Sequence, residues 1–316
     1  MNSNKPRVSI GLPVYNGEKY LEQTLDSIIA QTFTDFEIII SDNGSSDRTE
    51  EICKTYAAKD ERIRYYRNNR NLGVAPNYNR VFELSSSEFF KWADYDDILA
   101  PDFLVKCIDG LDKNPGAAVC FPQVKLIDEK GKFITDYDSP ADTSSLKPQV
   151  RFRNLILFPE RAVQAMGLMR SDIVKKTVLH GSYPSSDEVF LAHLALLGHF
   201  YEIPERLLYV RVHPANSTAG VLGSQRARVL FFDTSLEGKA VLLKWLYFKG
   251  CLKAINDSPL NAYQRTYCYF QLLRWSLVMK NLRSLVKDML LAINRLLPFF
   301  NSLEREVQST AKKIHS

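Results

Sequence analysis

Strand and helix patterns alternate along the first hundred residues, and this alternation limits the fold more than any other feature of the sequence. Segments rich in β-branched and aromatic residues predict four strands: RVSIGL (7–12), FEIIIS (36–41), IRYYRN (63–68) and EFFKWAD (88–94). Apolar residues at helical spacing lie between them, at 18–31, 47–58 and 76–84, and Pro101 starts a further helix. This order predicts an α/β fold with a Rossmann-like, mostly parallel central sheet between helices.

Acidic residues follow two of these predicted strands. Asp42 follows FEIIIS, and the segment DYDD places Asp94, Asp96 and Asp97 within four positions. Like charges ~5 Å apart repel by about 3 kcal/mol per pair at an effective dielectric constant near ~20. A solvated turn with Asp97 or Asp102 capping the next helix explains one acid but not three. Because ligands bind beyond the carboxyl ends of parallel strands, the cluster predicts a site for Mg²⁺ or Mn²⁺ shared with substrate phosphates.

The sequence around Asp42 excludes two common nucleotide-binding classes. Neither a GxGxxG fingerprint nor a GxxxxGK[ST] loop occurs, which disfavours a dinucleotide-binding domain and a P-loop NTPase. At the end of its strand, Asp42 is suited to accept hydrogen bonds from a base or ribose, and a local turn is the alternative. Asp47 and Glu50 have the spacing of a capping box at the start of the next helix.

The pattern loosens after Ala117. Strands are predicted at 117–122, 123–128, 163–170 and 206–213, and a helix at 186–200. The polar segment 137–148 predicts a loop that shapes a substrate pocket.

Composition limits the size of the core and indicates whether membrane-spanning segments, a secretory signal or disulfides are expected. The chain has 316 residues, of which 45% are hydrophobic, enough for one large domain or one domain with an appendage. No run of 18 apolar residues occurs, and no apolar segment precedes the first strand, so neither a membrane-spanning helix nor a secretory signal is expected. Five scattered cysteines without a CxxC pair predict reduced thiols in a cytoplasmic protein and disfavour a zinc site.

Positive charge is concentrated at the carboxyl end. Residues 225–316 hold 15 Lys and Arg against 6 Asp and Glu, whereas the rest of the chain is slightly acidic. We therefore predict two regions, a catalytic domain over 1–222 and a basic, amphipathic helical region over 223–316. Three interpretations of the second region stay open: packing on the catalytic domain, peripheral contact with the inner face of the cell membrane, and a homodimer interface. Nucleic-acid binding is not expected, because the basic residues are spread through apolar helices.

Two long segments resemble glycosyltransferase family 2, the inverting nucleotide-sugar transferases with the GT-A fold. VSIGLPVYNGEKYLEQTLDSIIAQTFTDFEIIISDNGSSDRT is similar to the opening block of the family, and NRNLGVAPNYNRVFELSSSEFFKWADYDDILAPDFL to its second block. The resemblance covers about residues 6–220. WADYDD replaces the commoner LDADD type, and SDNGS replaces a DDGS type.

The resemblance implies roles for individual residues on the donor side. Pro13, Tyr15 and Glu18 would line the nucleotide-base pocket, with Asp42 on the base or ribose. Asp94 and Asp96 would form the DxD pair around the metal and diphosphate, with Asp96 the more direct ligand. Gly73 would serve a turn near the nucleotide and Arg70 would touch phosphate, a simple turn being the alternative.

The resemblance also implies a base for the acceptor. SSDEVFLAHLALLG places Asp187 at the position of the family's general base, although Ser186 replaces the preceding acid. A helix cap is the alternative for Asp187, and Glu188 is a second candidate base. YVRVHPANSTAG resembles the closing segment of the family, in which His213 would contact metal or diphosphate and Arg211 would offset phosphate charge.

The implied function is metal-dependent, inverting transfer of a sugar from a nucleotide-sugar to a glycan, lipid-linked or other hydroxyl acceptor, as in cell-surface polysaccharide synthesis. UDP is the favoured nucleotide by family habit. Two alternatives remain: a non-catalytic nucleotide-sugar or glycan-binding homologue, and a sugar-phosphate nucleotidyltransferase, whose basic glycine-rich loop is missing here.

Overall fold

The computed structural model describes residues 5–139, 141–158, 162–213, 225–239 and 241–293. Several predicted features lie outside these ranges. They are the segment PANSTAG (214–220), the predicted domain boundary at 222 and the part of the basic region beyond residue 293.

The amino-terminal half forms a parallel sheet with helical crossovers. Its four strands lie in the order β3-β2-β1-β4, and every pairing among them is parallel. The elements in chain order are β1 (Val8–Val14), α1 (Leu21–Ile29), β2 (Phe36–Asp42), α2 (Thr49–Lys59), β3 (Ile63–Arg67), α3 (Val74–Glu83) and β4 (Phe89–Trp92). The predicted alternation is confirmed here.

The second half extends the same sheet with mixed pairing. Its strands continue the order as β4-β8-β6-β9-β5, with β7 also on β6; β6 and β9 are parallel and the other pairs antiparallel. The elements are β5 (Ile98–Leu99), α4 (Phe103–Lys113), β6 (Ala117–Ile127), β7 (Phe133–Tyr137), α5 (Pro148–Leu157), β8 (Leu168–Arg170), α6 (Ser171–Val174), α7 (Ser186–Leu197) and β9 (His199–Arg211).

The sheet is covered on both faces, which explains its uninterrupted apolar strands. Ile38 and Ile40 lie in one buried cluster, and Ile39 between them lies in the cluster on the opposite face. Successive side chains of a strand point to opposite faces, so a strand between two layers is apolar at every position.

The described part of the basic region, 225–239 and 241–293, is largely helical and shares a third core with the preceding helices. It contains α8 (Gln225–Phe232), α9 (Leu243–Asp257), α10 (Ala262–Leu277) and a helix over 279–293. Tyr247 of α9 and Trp275 of α10 stack at 4.5 Å and pack with Phe152 of α5 and Val189 of α7. None of the helices in the described ranges is both long and apolar enough to cross a membrane.

Several predicted elements differ in extent. The strands predicted at 117–122 and 123–128 are one strand, β6, whose pairing with β9 shifts around Pro122. In 163–170 only Leu168–Arg170 is strand, after a 3₁₀ turn over Val163–Met166. The helix predicted over 186–200 ends at Leu197, because His199 already pairs in β9. Helix α4 begins at Phe103, two residues after Pro101.

The capping box predicted at Asp47 is wrong. Helix α2 begins at Thr49, and Asp47 instead accepts hydrogen bonds from the Thr49 amide at 3.0 Å and hydroxyl at 2.6 Å. Helix α5 was not predicted, since polar and basic residues fill its helical face. The five cysteines are all buried and unpaired, as expected for reduced thiols.

Candidate active site

The ends of the parallel strands bring three loops to one edge of the sheet. Val14 at the end of β1 is in register with Asp42 at the end of β2, and Gly11 is in register with Trp92 at the end of β4. The residues that follow these strands therefore share the carboxyl edge, where ligands bind in open α/β sheets.

Asp42 is fully buried and extensively bonded. One carboxylate oxygen accepts from the Ser45 amide at 2.8 Å, and the other from the Tyr65 hydroxyl at 2.9 Å and Arg67 Nε at 3.2 Å. The bond to Ser45 is the local turn that the sequence left open. Asp42 therefore holds the loop after β2 in place, and its contact with a base or ribose stays a prediction.

Buried amides connect this loop to the segment before α3. Asn43 donates to the Gly73 carbonyl and the Asn71 side chain, both at 3.0 Å, and accepts from Asn68 and the Leu72 amide. Gly73 has φ +93, a conformation that L side chains rarely adopt. Arg70 projects from this segment and is exposed. Asn43 is not among the predicted site residues, and its only sequence signal is its place beside Asp42.

The remaining donor-side residues lie at the end of β1 and on the loop after it. Pro13 is buried within β1, and Tyr15 just beyond it is 42% exposed. Glu18 accepts from the Arg48 amide at 3.0 Å, while its own amide donates to Asp47 at 3.0 Å. These reciprocal bonds tie the loop after β1 to the one after β2.

The DYDD segment follows β4 and is bonded by partners from α3 and from the end of β9. The Tyr78 hydroxyl of α3 donates to Asp94. Asp96 lies 2.8 Å from His213 Nε2, just past β9. Asp97 accepts from the Arg211 amide at 3.0 Å. Tyr78 carried no sequence signal, because nothing along the chain predicts which helix residue faces Asp94.

Burial and mutual repulsion shift the titration of these acids. Burial, together with the charge of Asp96, raises the pKa of Asp94 to about 6, against the favourable hydrogen bond from Tyr78. Burial, with Asp96 and Asp94, also raises the pKa of Asp97 well above its ordinary value. The repulsion inferred from the sequence is therefore present in the fold.

A lysine lies beneath the cluster. Lys91 is buried in β4, and its ammonium donates to the Trp92 carbonyl at 3.0 Å and to the Met166 carbonyl. A small cavity of about 10 Å³ is lined by Lys91, Asp94 and Asp97 among others. Burial lowers the pKa of Lys91 to about 8, although both acids oppose that shift. Lys91 is not among the predicted site residues, although a lysine inside an apolar strand is itself a sequence signal.

The role expected for Arg211 is not supported. Its guanidinium is fully buried and donates to the carbonyls of Asp96, Asp128 and Glu129 and to the Gln23 side chain, at 2.8–3.2 Å. These bonds make Arg211 a structural tie between β9 and the DYDD segment. Its donors are directed at protein acceptors, which argues against a phosphate contact.

Asp96 and His213 have the chemistry and spacing of metal ligands. Two adjacent ligands of an octahedral cation with bonds of ~2.1 Å lie about 3 Å apart, close to the 2.8 Å between Asp96 Oδ2 and His213 Nε2. A carboxylate with an imidazole suits Mn²⁺, and Mg²⁺ prefers oxygen ligands. Within the described ranges, no three His, Cys, Asp or Glu side chains are grouped to hold a metal ion. The residues thus fit a cation that takes its other ligands from substrate and water.

Asp187 lies at the start of α7, and Phe190 of the same helix packs on Trp92 at the end of β4 with ring centroids 5.3 Å apart. The charge of Asp187 also contributes to the raised pKa of Asp94. Burial raises the pKa of Asp187 itself and that of Glu188. Neither caps the helix: the N-cap is Ser185, which makes no side-chain cap.

The turn before α7 is held by specific contacts. Asn79 of α3 donates to the His180 carbonyl at 2.9 Å and accepts from the His180 amide at 3.0 Å. Leu179 and Ser185 have φ values of +52 and +63, and such conformations concentrate at functional sites. The turn thus starts α7 at a defined point beside α3, the helix that carries Tyr78.

Comparison with known proteins relates this geometry to a family. Residues 9–176, more than half of the chain, match the family model described as Glycosyl transferase family 2. An uncharacterized glycosyltransferase of Haemophilus influenzae is 29% identical over 230 residues, 71% of this chain and 70% of that protein. Another, of Methanocaldococcus jannaschii, is 36% identical over 136 residues, 42% of this chain and 47% of that protein. The chondroitin synthase of Escherichia coli is 33% identical over 131 residues, 42% of this chain but only 19% of the synthase.

Solved structures with low sequence identity share the fold. S. aureus TarS 1-349 in complex with UDP-GlcNAc has a TM-score of 0.64 at 15% identity and covers 89% of this chain and 79% of that chain. A mannosyltransferase from Pyrobaculum calidifontis in complex with GDP-Man and Mn²⁺ has a TM-score of 0.55 at 15% identity, covering 97% and 81%. The family match and this shared architecture confirm the resemblance: the chain belongs to glycosyltransferase family 2 and has the GT-A fold.

Proposed function

We propose that this protein is an inverting glycosyltransferase that moves a sugar from a nucleotide-sugar to a hydroxyl acceptor. One observation carries the proposal: Trp92, at the end of β4 beside the DYDD acids, packs on Phe190 of α7 with ring centroids 5.3 Å apart, and Phe190 lies about one helical turn from Asp187. The proposed donor-side acids and the proposed acceptor-side base are therefore carried by elements that pack against each other.

The donor site is proposed at the ends of β1 and β2. Pro13, Tyr15 and Glu18 line the base pocket, and Asp42 supports the base or ribose. Arg70 and Gly73 border the phosphates from the segment before α3. TarS structures hold UDP or UDP-GlcNAc, and the Pyrobaculum mannosyltransferase holds GDP-Man. We propose a UDP-sugar as the donor, with a GDP-sugar as the second choice.

Asp96 and His213 are proposed to hold Mg²⁺ or Mn²⁺ together with the donor diphosphate, with Asp94 as a further candidate ligand only if its side chain moves towards the ion when the donor binds. When bound, such a cation is a Lewis acid that neutralises charge on the departing nucleoside diphosphate. Arg211 and Tyr78 hold Asp96 and Asp94 in place through the bonds described above. The neighbour solved with Mn²⁺ supports this choice of cation.

Asp187 is proposed as the general base. Burial raises its pKa, which makes it a stronger proton acceptor than an exposed aspartate. It takes the proton of the acceptor hydroxyl while that oxygen attacks the anomeric carbon. The bond to the diphosphate oxygen breaks on the opposite face, so the configuration inverts in one displacement.

The acceptor is proposed to be a glycan or a lipid-linked sugar, as in cell-surface polysaccharide synthesis. The similarity to a chondroitin synthase over 131 residues supports a glycan acceptor. The C-terminal helices are proposed to contact either a membrane surface or a second subunit.

The decisive variant is Asp187→Asn, with Asp172→Asn on the exposed first turn of α6 as its control. We expect Asp187→Asn to bind the donor normally but to release nucleoside diphosphate at least about 100-fold more slowly, since a positioned base contributes that much or more. Calorimetry measures binding, and a coupled assay with Mn²⁺ measures release from UDP- and GDP-sugars.

Each alternative predicts a different result. Normal turnover by Asp187→Asn removes the residue from the mechanism. A wild-type protein that binds donors but releases no nucleotide is a binding homologue. Pyrophosphate released from a nucleoside triphosphate and a sugar phosphate indicates a nucleotidyltransferase.

A further inference from the structure

The helix over 279–293 exposes a regular apolar row. Met279, Leu282, Val286, Met289 and Ile293 are 38–60% exposed. They are spaced three and four residues apart, so they lie along one side of the helix. Two neighbouring side chains hold the helix to the protein: Leu285, at the edge of the row, is buried, and Asp288 accepts from the Lys244 amide of α9 at 2.8 Å. The row therefore points away from the core.

Helix α10 exposes a similar row just before it. Phe270, Leu273 and Leu277 have the same spacing and are 52–60% exposed. The opposite side of α10 is buried through Leu272 and Trp275. We call these eight residues the apolar rows. They are concentrated on two consecutive helices, whereas isolated exposed apolar residues are common on any protein surface.

The charge around the apolar rows has one sign. Residues 262–293 contain five Lys and Arg but a single acid, the buried Asp288. Lys280, Arg283 and Lys287 are exposed, and no ion pair involves them within the described ranges. The apolar rows are thus accompanied by an excess of cations over acids.

We propose that the apolar rows, with Lys280, Arg283 and Lys287, bind the surface of an anionic lipid bilayer. Apolar side chains enter the boundary between headgroups and acyl chains, while the cations bind anionic headgroups. A second copy of the chain is a poorer partner, because pairing this face with itself would bring like charges together without acids to match them. This proposal does not rest on the transfer reaction.

Vesicle co-sedimentation of the full chain tests the proposal. Vesicles are made of phosphatidylcholine alone or of equimolar phosphatidylcholine and phosphatidylglycerol. We expect binding to the anionic vesicles that is at least about tenfold stronger than to the neutral ones and that falls at high salt, since the electrostatic attraction is screened.

Two variants separate the apolar and the charge contributions. Leu282→Ser with Val286→Ser removes apolar contact, and Lys280→Gln with Arg283→Gln and Lys287→Gln removes charge. Each is expected to weaken vesicle binding at least about tenfold. The control for the first is Phe133→Ser with Ile134→Ser on exposed β7, and Lys113→Gln with Lys130→Gln is the control for the second. Both controls are expected to bind like the wild type.

The proposal is overturned if the wild type does not sediment, if it binds both vesicle types equally, or if the variants bind unchanged. It is also overturned if the wild type is a dimer that the Leu282→Ser, Val286→Ser variant makes monomeric. Thermal unfolding and donor binding are measured on every variant. Because donor binding is a separate readout, a failed donor site and a failed lipid surface are distinguishable.

Discussion

At the scale of single residues, a positive charge and hydrogen bonds from the protein offset the repulsion among the DYDD acids. Clustered carboxylates are costly unless charges or hydrogen bonds offset them. Lys91 supplies a buried positive charge near Asp94 and Asp97, and the Arg211 amide donates to Asp97. A divalent ion is therefore not the only compensation for the DYDD acids, contrary to the reasoning from sequence alone.

His180 makes stability depend on pH. Its ring lies within 5.0–5.3 Å of the rings of Trp92, Tyr78 and Phe190, and its buried Nε2 has no hydrogen-bond partner in the described part of the chain. Burial lowers its pKa from 6.5 to about 4. The unfolded chain therefore binds a proton that the folded one excludes between these values, and stability present above pH ~6.5 is lost as pH falls towards ~4.

His180→Phe is expected to remove this loss. Between pH ~7.5 and ~4.5, the unfolding free energy of the wild type should fall by about 2 kcal/mol more than that of the variant. Urea unfolding at both pH values measures the difference. Equal losses in the two proteins would show that His180 is not kept neutral by burial.

At the scale of elements, the loops after the strands are held by close backbone contacts. A Cβ on Gly73 would lie 2.6 Å from the backbone of Asp233, at the end of α8, in addition to requiring φ +93. Gly238 has φ +75 but open space around its Cβ position. The segment before α3 thus packs against the basic region, a contact that no sequence pattern indicated.

Gly73→Ala is expected to destabilise the protein by about 3 kcal/mol, from backbone strain plus the clash. Gly238→Ala, with strain alone, should cost about 1 kcal/mol. Chemical unfolding of the two variants measures both values, and Gly73→Ala should also weaken donor binding. Equal destabilisation would mean that α8 moves away at little cost.

At the scale of the whole molecule, helix α9 of the basic region packs against α7, the helix that carries the proposed base. Tyr247, Cys251 and Ile255 of α9 cover Val189 and Leu196 of α7. The helix that carries the proposed base is therefore buried partly by residues beyond the predicted boundary at 222. Packing on the catalytic domain is the first of the three interpretations drawn from sequence. Such packing is compatible with an outer surface of these helices that faces lipid.

A chain ending at residue 222 is expected to lack a cooperative fold. Removing α9 and α10 would expose Phe152, Val189 and Leu196, and each exposed large apolar side chain costs about 1.5–3 kcal/mol, against a typical total stability of about 5–15 kcal/mol. A chain ending at residue 293 is the control. Thermal unfolding followed by circular dichroism compares them, and a cooperative transition in the shorter chain would contradict the prediction.

The sequence by itself determined the layered α/β fold and the residues at the strand ends. Apolar periodicity is local, and the carboxyl ends of parallel strands necessarily meet at one edge of the sheet. It also marked Asp94, Asp96 and Asp187, although it needed the family resemblance to assign roles to them. Only the tertiary structure decided that Tyr78 donates a hydrogen bond to Asp94 and that Lys91 places a positive charge near the DYDD acids. It also decided that the guanidinium of Arg211 donates to protein carbonyls. Those contacts join distant segments, and their geometry depends on packing that no local pattern encodes.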